Sequence, residues 1–280
     1  MKILAIESSC DETAAAVVED GRTIISNIIA SQVDCHALYG GVVPEIASRA
    51  HLEAISYVVY EAVSSIGGIK NIDAVAVTYA PGLIGALLVG VNFAKSLAFS
   101  INKPLIGVHH LRGHVASNYL TYKNLEPEFT ALIVSGGHSH IVEVINYTNY
   151  KIIGKTRDDA AGESFDKTAR VLGLGYPGGP KIEQAAKNGD PESIHFPRVH
   201  FNSSPYDFSF SGIKTAVINY VHKQKQSGAD ININDVAASF TEAVCDVLSE
   251  KAVKAAICNN HRLAIAGGVS ANSFLRKKLC

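Results

Sequence analysis

"TALIVSGGHSHIVEVIN", residues 130–146, is an apolar run, a glycine-rich polar turn and a second β-branched run. That pattern predicts strand, tight turn, strand. The chain opens in the same way. In "KILAIESSCDETAAAVVEDGRTIISN", residues 2–27, two β-rich runs flank the polar turn ESSCDET, and EDG turns the chain into a third strand. "YKIIGKTRDD", residues 150–159, supplies the matching third strand of the second half. After each opening, helices and strands alternate. Two halves built alike predict a duplicated α/β lobe, 1–127 and 128–280, with the join in the polar, proline-containing "KNLEPEF", residues 123–129.

In the first half a helix is expected from Pro44 to about Ile66, with proline in its first turn and glycines after its end. "DAVAVTYA", 73–80, reads as a buried strand. "PGLIGALLVGVNFAKSLAFSI", 81–101, reads as a helix whose small residues allow close packing, and "PLIGV", 104–108, as a strand. In the second half helices are expected near 162–173, 178–188, 211–224 and 234–260, then the strand "LAIAG", 263–267, and a helix from about Ala271. Residues 190–210 lack periodicity and are rich in Pro, Ser, His and Phe, which predicts a long functional loop.

Apolar residues make up 47% of the 280, enough for extensive cores, while only 18% are charged, which predicts surface buried between lobes or against partners. A net charge of -1 leaves any nucleic-acid contact to a local basic patch. Five cysteines without a C-x-x-C pair fit a reduced, cytoplasmic setting. "MKILAIESS" reads as a strand rather than a secretory leader, and the longest apolar run, "LIGALLVGV", is far short of the ~20 residues that span a bilayer, so no membrane role is expected.

"GVHHLRGHVAS", 107–117, holds three histidines, and His110 and His114 are four apart. On a helix they stack one turn apart, the spacing at which two imidazoles grip one zinc or iron ion. Protease helices of this kind carry a glutamate beside the first histidine as general base; Leu111 stands there instead, which removes the catalytic group. A two-histidine site still needs a further ligand, usually a carboxylate. The turns ESSCDET and VSGGHSH would each pass for ordinary tight turns alone. Their matching places in two similar halves favour a binding role, with Gly136 and Gly137 letting backbone amides approach a phosphate and Glu7, Asp11 and Glu12 able to hold a cation or act on a nucleophile. Gly267 and Gly268 lead from a strand into a helix start near Asn272, where backbone amides can accept a ribose or base edge.

Nine segments taken in order, "IESSCDETAAAVV", "GGVVPEIASRAH", "APGLIGALLVG", "VHHLRGH", "VSGGHSH", "DDAAGESFDK", "YPGGP", "FSFSGIKTA" and "AGGVSAN", resemble the signature segments of the bacterial TsaD family, the tRNA N6-adenosine threonylcarbamoyltransferases. The resemblance implies an α/β fold of the actin/Hsp70/sugar-kinase type, duplicated RNase H-like lobes with a central cleft. It implies transfer of the threonylcarbamoyl group from threonylcarbamoyl-adenylate to N6 of adenosine 37 in tRNAs reading ANN codons. It further implies one divalent metal ion, iron or zinc, ATP or AMP in the cleft, and as partners tRNA, a non-catalytic paralogue (TsaB-like) and a small ATPase (TsaE-like). Carried onto this chain, His110 and His114 match the metal ligands. Ile133, Val134, Ser135, Gly136 and Gly137 match the substrate-binding strand and turn, and Asp166, Gly179 and Asn272 the other substrate contacts. Glu183 stands where some relatives have a binding aspartate. Glu12 or Asp11 is the expected proton acceptor. The family's third metal ligand is an aspartate beyond "GGVSAN", and the chain stops at Cys280 before it, so a truncated chain with weak metal binding is expected. The alternatives are a non-catalytic scaffold, which would lose the histidine pair, an ATPase or sugar kinase of the same fold, and a metalloprotease. Arg49, Lys155, Arg157 and Lys214 are the expected basic contacts for tRNA.

Overall fold

A computed structural model of the chain describes residues 1–280. They form two compact units, Met1–Leu125 and Glu126–Cys280.

The first unit opens with a meander of β1 (Lys2–Glu7), β2 (Glu12–Glu19) and β3 (Thr23–Ser31). β1 and β2 pair antiparallel from Lys2 opposite Glu19 to Glu7 opposite Ala14. Alternation sets which face is buried. Leu4 and Ile6 of β1, with Thr13, Ala15 and Val17 of β2, point inward while their neighbours stay partly exposed. A short helix α1 (Val33–Ala37) and the long helix α2 (Pro44–Ser64) come next, then a single 3-10 turn at Ile69–Asn71 and the buried strand β4 (Ala74–Ala80). α3 (Ile84–Ser100), β5 (Leu105–His109) and α4 (His110–Thr121) complete the unit. The sheet runs β3-β2-β1-β4-β5, with β4 parallel to β1 and β5 parallel to β4. α2 buries Ala47, His51, Ile55, Val58, Val59, Ala62 and Val63, a stripe at helical spacing, against the sheet.

The second unit repeats the plan. β6 (Phe129–Val134), β7 (Ser139–Val144) and β8 (Tyr150–Lys155) form an antiparallel meander. β9 (Arg262–Ala266) lies parallel beside β6, and the order β8-β7-β6-β9 repeats β3-β2-β1-β4. Between β8 and β9 come α5 (Ala161–Val171), α6 (Gly178–Ala186), α7 (Ser211–Ser227) and α8 (Ile233–Cys258); a 3-10 turn at Gly268–Ala271 then leads to α9 (Ser273–Leu279). Phe165, Phe196, Phe208, Phe210 and Phe240 fill the core with Leu132, Val134 and Leu248.

Residues 190–210 contain no helix or strand, as expected from their composition. Side chains hold them in place. Lys251 of α8 is buried, and its ammonium donates to the carbonyls of Val199 at 2.9 Å and Asp207 at 2.5 Å. Arg198 donates from Nε and Nη2 to Asp246 Oδ2. The helix expected from Ala271 starts two residues later, because Gly268–Ala271 first make the 3-10 turn and Asn272 then caps α9. α1 was not expected; five residues carry too little periodicity to read.

Candidate functional site

β1, β4 and β5 run parallel, so the residues at their C-terminal ends gather at one end of the first sheet. Glu7 ends β1, Thr78 lies near the end of β4, and His110 opens α4 directly after β5. The Glu7 carboxylate accepts three hydrogen bonds: from Ser9 N at 2.5 Å, Thr78 Oγ1 at 2.7 Å and His110 Nδ1 at 3.0 Å. Burial alone would raise its pKa. The hydrogen bonds from His110, Ser9 and Thr78, with the charge on His110, outweigh that and hold it at about 2. The serines of the turn are packed from behind. Ser8 Oγ donates to Ala86 O at 2.9 Å, and a side chain at Gly82 would come within 2.5 Å of Ser9 O.

His114 follows His110 by one turn of α4, with ring centroids 4.5 Å apart and planes at 78°. When the ring of His110 is neutral, its Nδ1 proton is directed at Glu7 and its lone pair sits on Nε2. Carboxylates orient metal-binding imidazoles in this way. Two imidazoles, one oriented by a carboxylate, fit a divalent iron or zinc ion as part of its ligand set. No three or more His, Cys, Asp and Glu side chains converge on one point, so the pair would offer an ion two ligands.

Asp11 and Glu12 occupy the end of the same turn. The Asp11 carbonyl accepts from Gln32 N at 3.1 Å, and Glu12 begins β2 with its side chain exposed. Desolvation, then the neighbouring charge of Asp11, raises the Glu12 carboxyl above its ordinary range, which makes it a better proton acceptor. Desolvation and the Asp11 charge push the adjacent Cys10 thiol up to about 12, so it is no nucleophile at neutral pH.

In the second unit, β6 delivers the turn Ser135–His138. Ile133 and Val134 have no exposed surface; Ile133 is paired with both β7 and β9 and Val134 with β7, so their backbone sets the turn. Ser135 N donates to His138 O at 2.8 Å, closing the turn. Gly136 and Gly137 are exposed, and a methyl group on either would meet nothing within 4 Å. Open space therefore lies over the turn. On the opposite side the packing is tight. A Cβ at Gly162, in the first turn of α5, would lie 2.6 Å from Ser135 O and 2.8 Å from Gly136 N, and one at Gly267, whose φ is +94°, would collide with the Val134 backbone.

The remaining expected residues link onward from that turn. Asp166 of α5 accepts from Gly178 N at 2.7 Å and so caps the start of α6, where Gly179 faces open space. Glu183, further along α6, accepts from Ser273 N at 3.1 Å and Ser273 Oγ at 2.5 Å, at the start of α9. Asn272 is buried and its Oδ1 accepts from Leu275 N at 3.0 Å. The turn and the starts of α5, α6 and α9 are thus linked in one chain of contacts, in which Gly162 N donates to Ser135 O and the Gly178 and Ser273 amides are taken by the two carboxylates. Asp166 and Glu183 serve it as caps.

Ser9 and Thr78 had no role evident from sequence, whereas Glu7 was expected, with Asp11 and Glu12, to hold a cation or act on a nucleophile. Glu7 is visible in ESSCDET, but its contact with His110 spans 103 residues and exists only once β1, β4 and β5 are aligned. Three of the four basic residues expected to meet tRNA are paired within their own units: Arg49 with Glu45 at 2.8 Å, Arg157 with Asp207 at 2.9 Å and Lys214 with Asp159 at 2.6 Å. Lys155 is exposed.

The profile of the TsaD family, described as tRNA N6-adenosine threonylcarbamoyltransferase, matches residues 23–280. A protein of that description from Clostridium perfringens is 57% identical over 279 residues, covering 99% of this chain and 82% of its own. One from Clostridium botulinum is 56% identical over 281 residues, covering 100% and 83%. Among solved structures, HypF of T. kodakarensis aligns with 99% of this chain and 43% of its own, with a TM-score of 0.66 at 14% identity. A ROK family glucokinase from Streptomyces griseus aligns with 100% of this chain and 87% of its own, with a TM-score of 0.53 at 11% identity. These likenesses identify the fold as the duplicated α/β architecture of the sugar-kinase type.

Proposed function

The chain belongs to the TsaD family, tRNA N6-adenosine threonylcarbamoyltransferase, and from that premise we propose that it moves the threonylcarbamoyl group of threonylcarbamoyl-adenylate to N6 of adenosine 37 in tRNAs reading ANN codons. It is a transferase of tRNA modification. The observation that carries the finer reading is the 57% identity across 99% of the chain. The open Gly136–Gly137 turn of the second unit and the Glu7–His110–His114 group of the first support it.

The N6 amine is a weak nucleophile, because its lone pair is delocalised into the ring. A C–N bond forms at the carbamoyl carbon, the C–O bond to the phosphate breaks, and AMP departs with the electron pair. The exposed amides at Gly136 and Gly137 hold the phosphate and stabilise the charge that grows on it. Gly179 and Asn272 hold the adenosine portion, and ATP or AMP would occupy the same contacts. Glu12 or Asp11 takes the proton that N6 loses. Glu7 fixes the ring of His110. A divalent iron or zinc ion held by His110 and His114 would supply Lewis-acid polarisation of the donor carbonyl.

On this reading the protein works in the cytoplasm with tRNA, a non-catalytic paralogue and a small ATPase; no helix is long and apolar enough to cross a membrane. For the paralogue, the outer faces of α2 and α3 offer the docking surface, with Leu52, Tyr57 and Tyr60 exposed on one helix and Ile84, Leu88 and Phe99 on the other. AMP release from the adenylate tests the reading. It should accelerate only when tRNA carrying adenosine 37 is present, and release indifferent to tRNA would overturn it.

A further inference from the structure

One member of the buried stripe of α2 is polar. His51 lies four residues after Ala47 and four before Ile55, both core residues, and it has no exposed surface itself. A core position of this kind ordinarily takes an aliphatic side chain, and a buried imidazole is costly unless both nitrogens are satisfied. Here both are. Nε2 lies 3.0 Å from Cys10 O, and Nδ1 lies 2.7 Å from Thr13 Oγ1. The Cys10 carbonyl can only accept, so Nε2 carries the proton. In the neutral ring Nδ1 then accepts from the Thr13 hydroxyl. Burial lowers the pKa of His51 and favours that neutral form.

Cys10 and Thr13 are the residues immediately before and after Asp11 and Glu12. One ring from a neighbouring helix is therefore fastened on both sides of the two carboxylates. The Asp11 carbonyl is tied separately by Gln32 N at 3.1 Å, and the Gln32 side chain is in turn 3.1 Å from His36 Nε2. The stretch that carries the acids is anchored at Cys10, Asp11 and Thr13.

We infer that His51 is a positioning residue for proton transfer: it holds residues 10–13 so that the carboxyl group taking the N6 proton is fixed in place, without touching substrate itself. This rests on the reading of Asp11 or Glu12 as the proton acceptor. A purely packing role would be filled as well by leucine, which matches the ring in bulk but bonds to neither end of the stretch.

The test compares wild type with His51→Leu, His51→Gln, Thr13→Val, Asp11→Asn and Glu12→Gln, each assembled with its partner proteins, measuring kcat and KM for the adenylate and the melting temperature. His51→Leu should lower kcat about 10- to 100-fold while KM stays within about twofold. His51→Gln keeps an N–H for Cys10 O and should recover most of the loss. Whichever of Asp11→Asn and Glu12→Gln loses kcat should make His51→Leu silent in the double variant, since no acceptor remains to be held. If His51→Leu does not fold, Thr13→Val carries the same comparison with a smaller loss. Full kcat in His51→Leu, no rescue by His51→Gln, or additive losses in the double variant would overturn the inference and leave the acceptor reading standing. Full kcat in both Asp11→Asn and Glu12→Gln would overturn the acceptor reading, and the inference with it.

Discussion

Glu7 Oε2 and His110 Nδ1 are 3.0 Å apart across 103 residues of sequence, the carboxylate at the end of β1 and the imidazole at the start of α4. The contact fixes which ring nitrogen carries the lone pair and in which direction the ring lies. On the proposed reading of the ring as a ligand rather than a packing element, His110→Ala should abolish transfer with little change in melting temperature. Glu7→Gln should weaken metal binding by about 10- to 100-fold, the usual consequence of losing such a partner. Metal titration of the two variants against wild type checks this, and unchanged affinity in both would contradict it.

The space over Gly136 and Gly137 is open while that behind Gly162 is closed. Gly137→Val should therefore abolish binding of the adenylate at nearly wild-type stability. Gly162→Ala should instead destabilise the unit by about 1–3 kcal/mol, since the new methyl presses on the backbone of Ser135 and Gly136. Calorimetric titration and thermal melts on both variants separate a binding surface from a packing contact.

Tyr60 is 66% exposed on α2 and Leu88 is 51% exposed on α3. Tyr60→Lys with Leu88→Lys should leave the isolated chain folded and weaken its complex with the non-catalytic paralogue by at least about tenfold, because buried unpaired ammonium groups are costly. Sedimentation of the mixed proteins would show it, and an undiminished complex would move the interface elsewhere.

Asp159 accepts from Lys167 at 2.9 Å and from Lys214 at 2.6 Å, linking α5 and α7. Burial would raise its pKa, but the two lysines prevail and lower it. A depressed carboxylate stabilises the fold fully above its unfolded pKa of about 3.9 and ceases to do so as pH falls through the lower folded value. Asp159→Asn should cost about 1 kcal/mol at neutral pH, allowing for solvent screening, and the gap to wild type should close on acidification below about pH 4. Urea melts across that range measure it, and a gap that stays constant would contradict the assignment.

The repeated strand–turn–strand openings were legible because a two-residue alternation and a glycine turn are local signals, and β6 showed as an apolar run broken only by Thr130 because it is covered on both faces. The histidine pair was legible for the same reason, both residues lying on one helical turn. Longer-range relations were hidden. Glu7 gains its role only when three parallel strands bring it to His110, and His51 reads as one letter of a motif until α2 is laid against the turn at Cys10. Asp166 and Glu183 could be marked as belonging to the second cluster, yet not that they cap α6 and α9, because the start of α9 depends on the glycine-led 3-10 turn before it. Basic residues were legible as charges, but the acids that pair with Arg157 and Lys214 lie about 50 residues away in sequence.

The most direct measurement is mass analysis of tRNA nucleosides after unmodified tRNA is incubated with this protein, threonylcarbamoyl-adenylate and the partner proteins. The account predicts N6-threonylcarbamoyladenosine at position 37 of tRNAs that read ANN codons, none in tRNAs lacking adenosine there, and none with His110→Ala. Unmodified adenosine 37 with the wild-type protein, or full modification with His110→Ala, would contradict it.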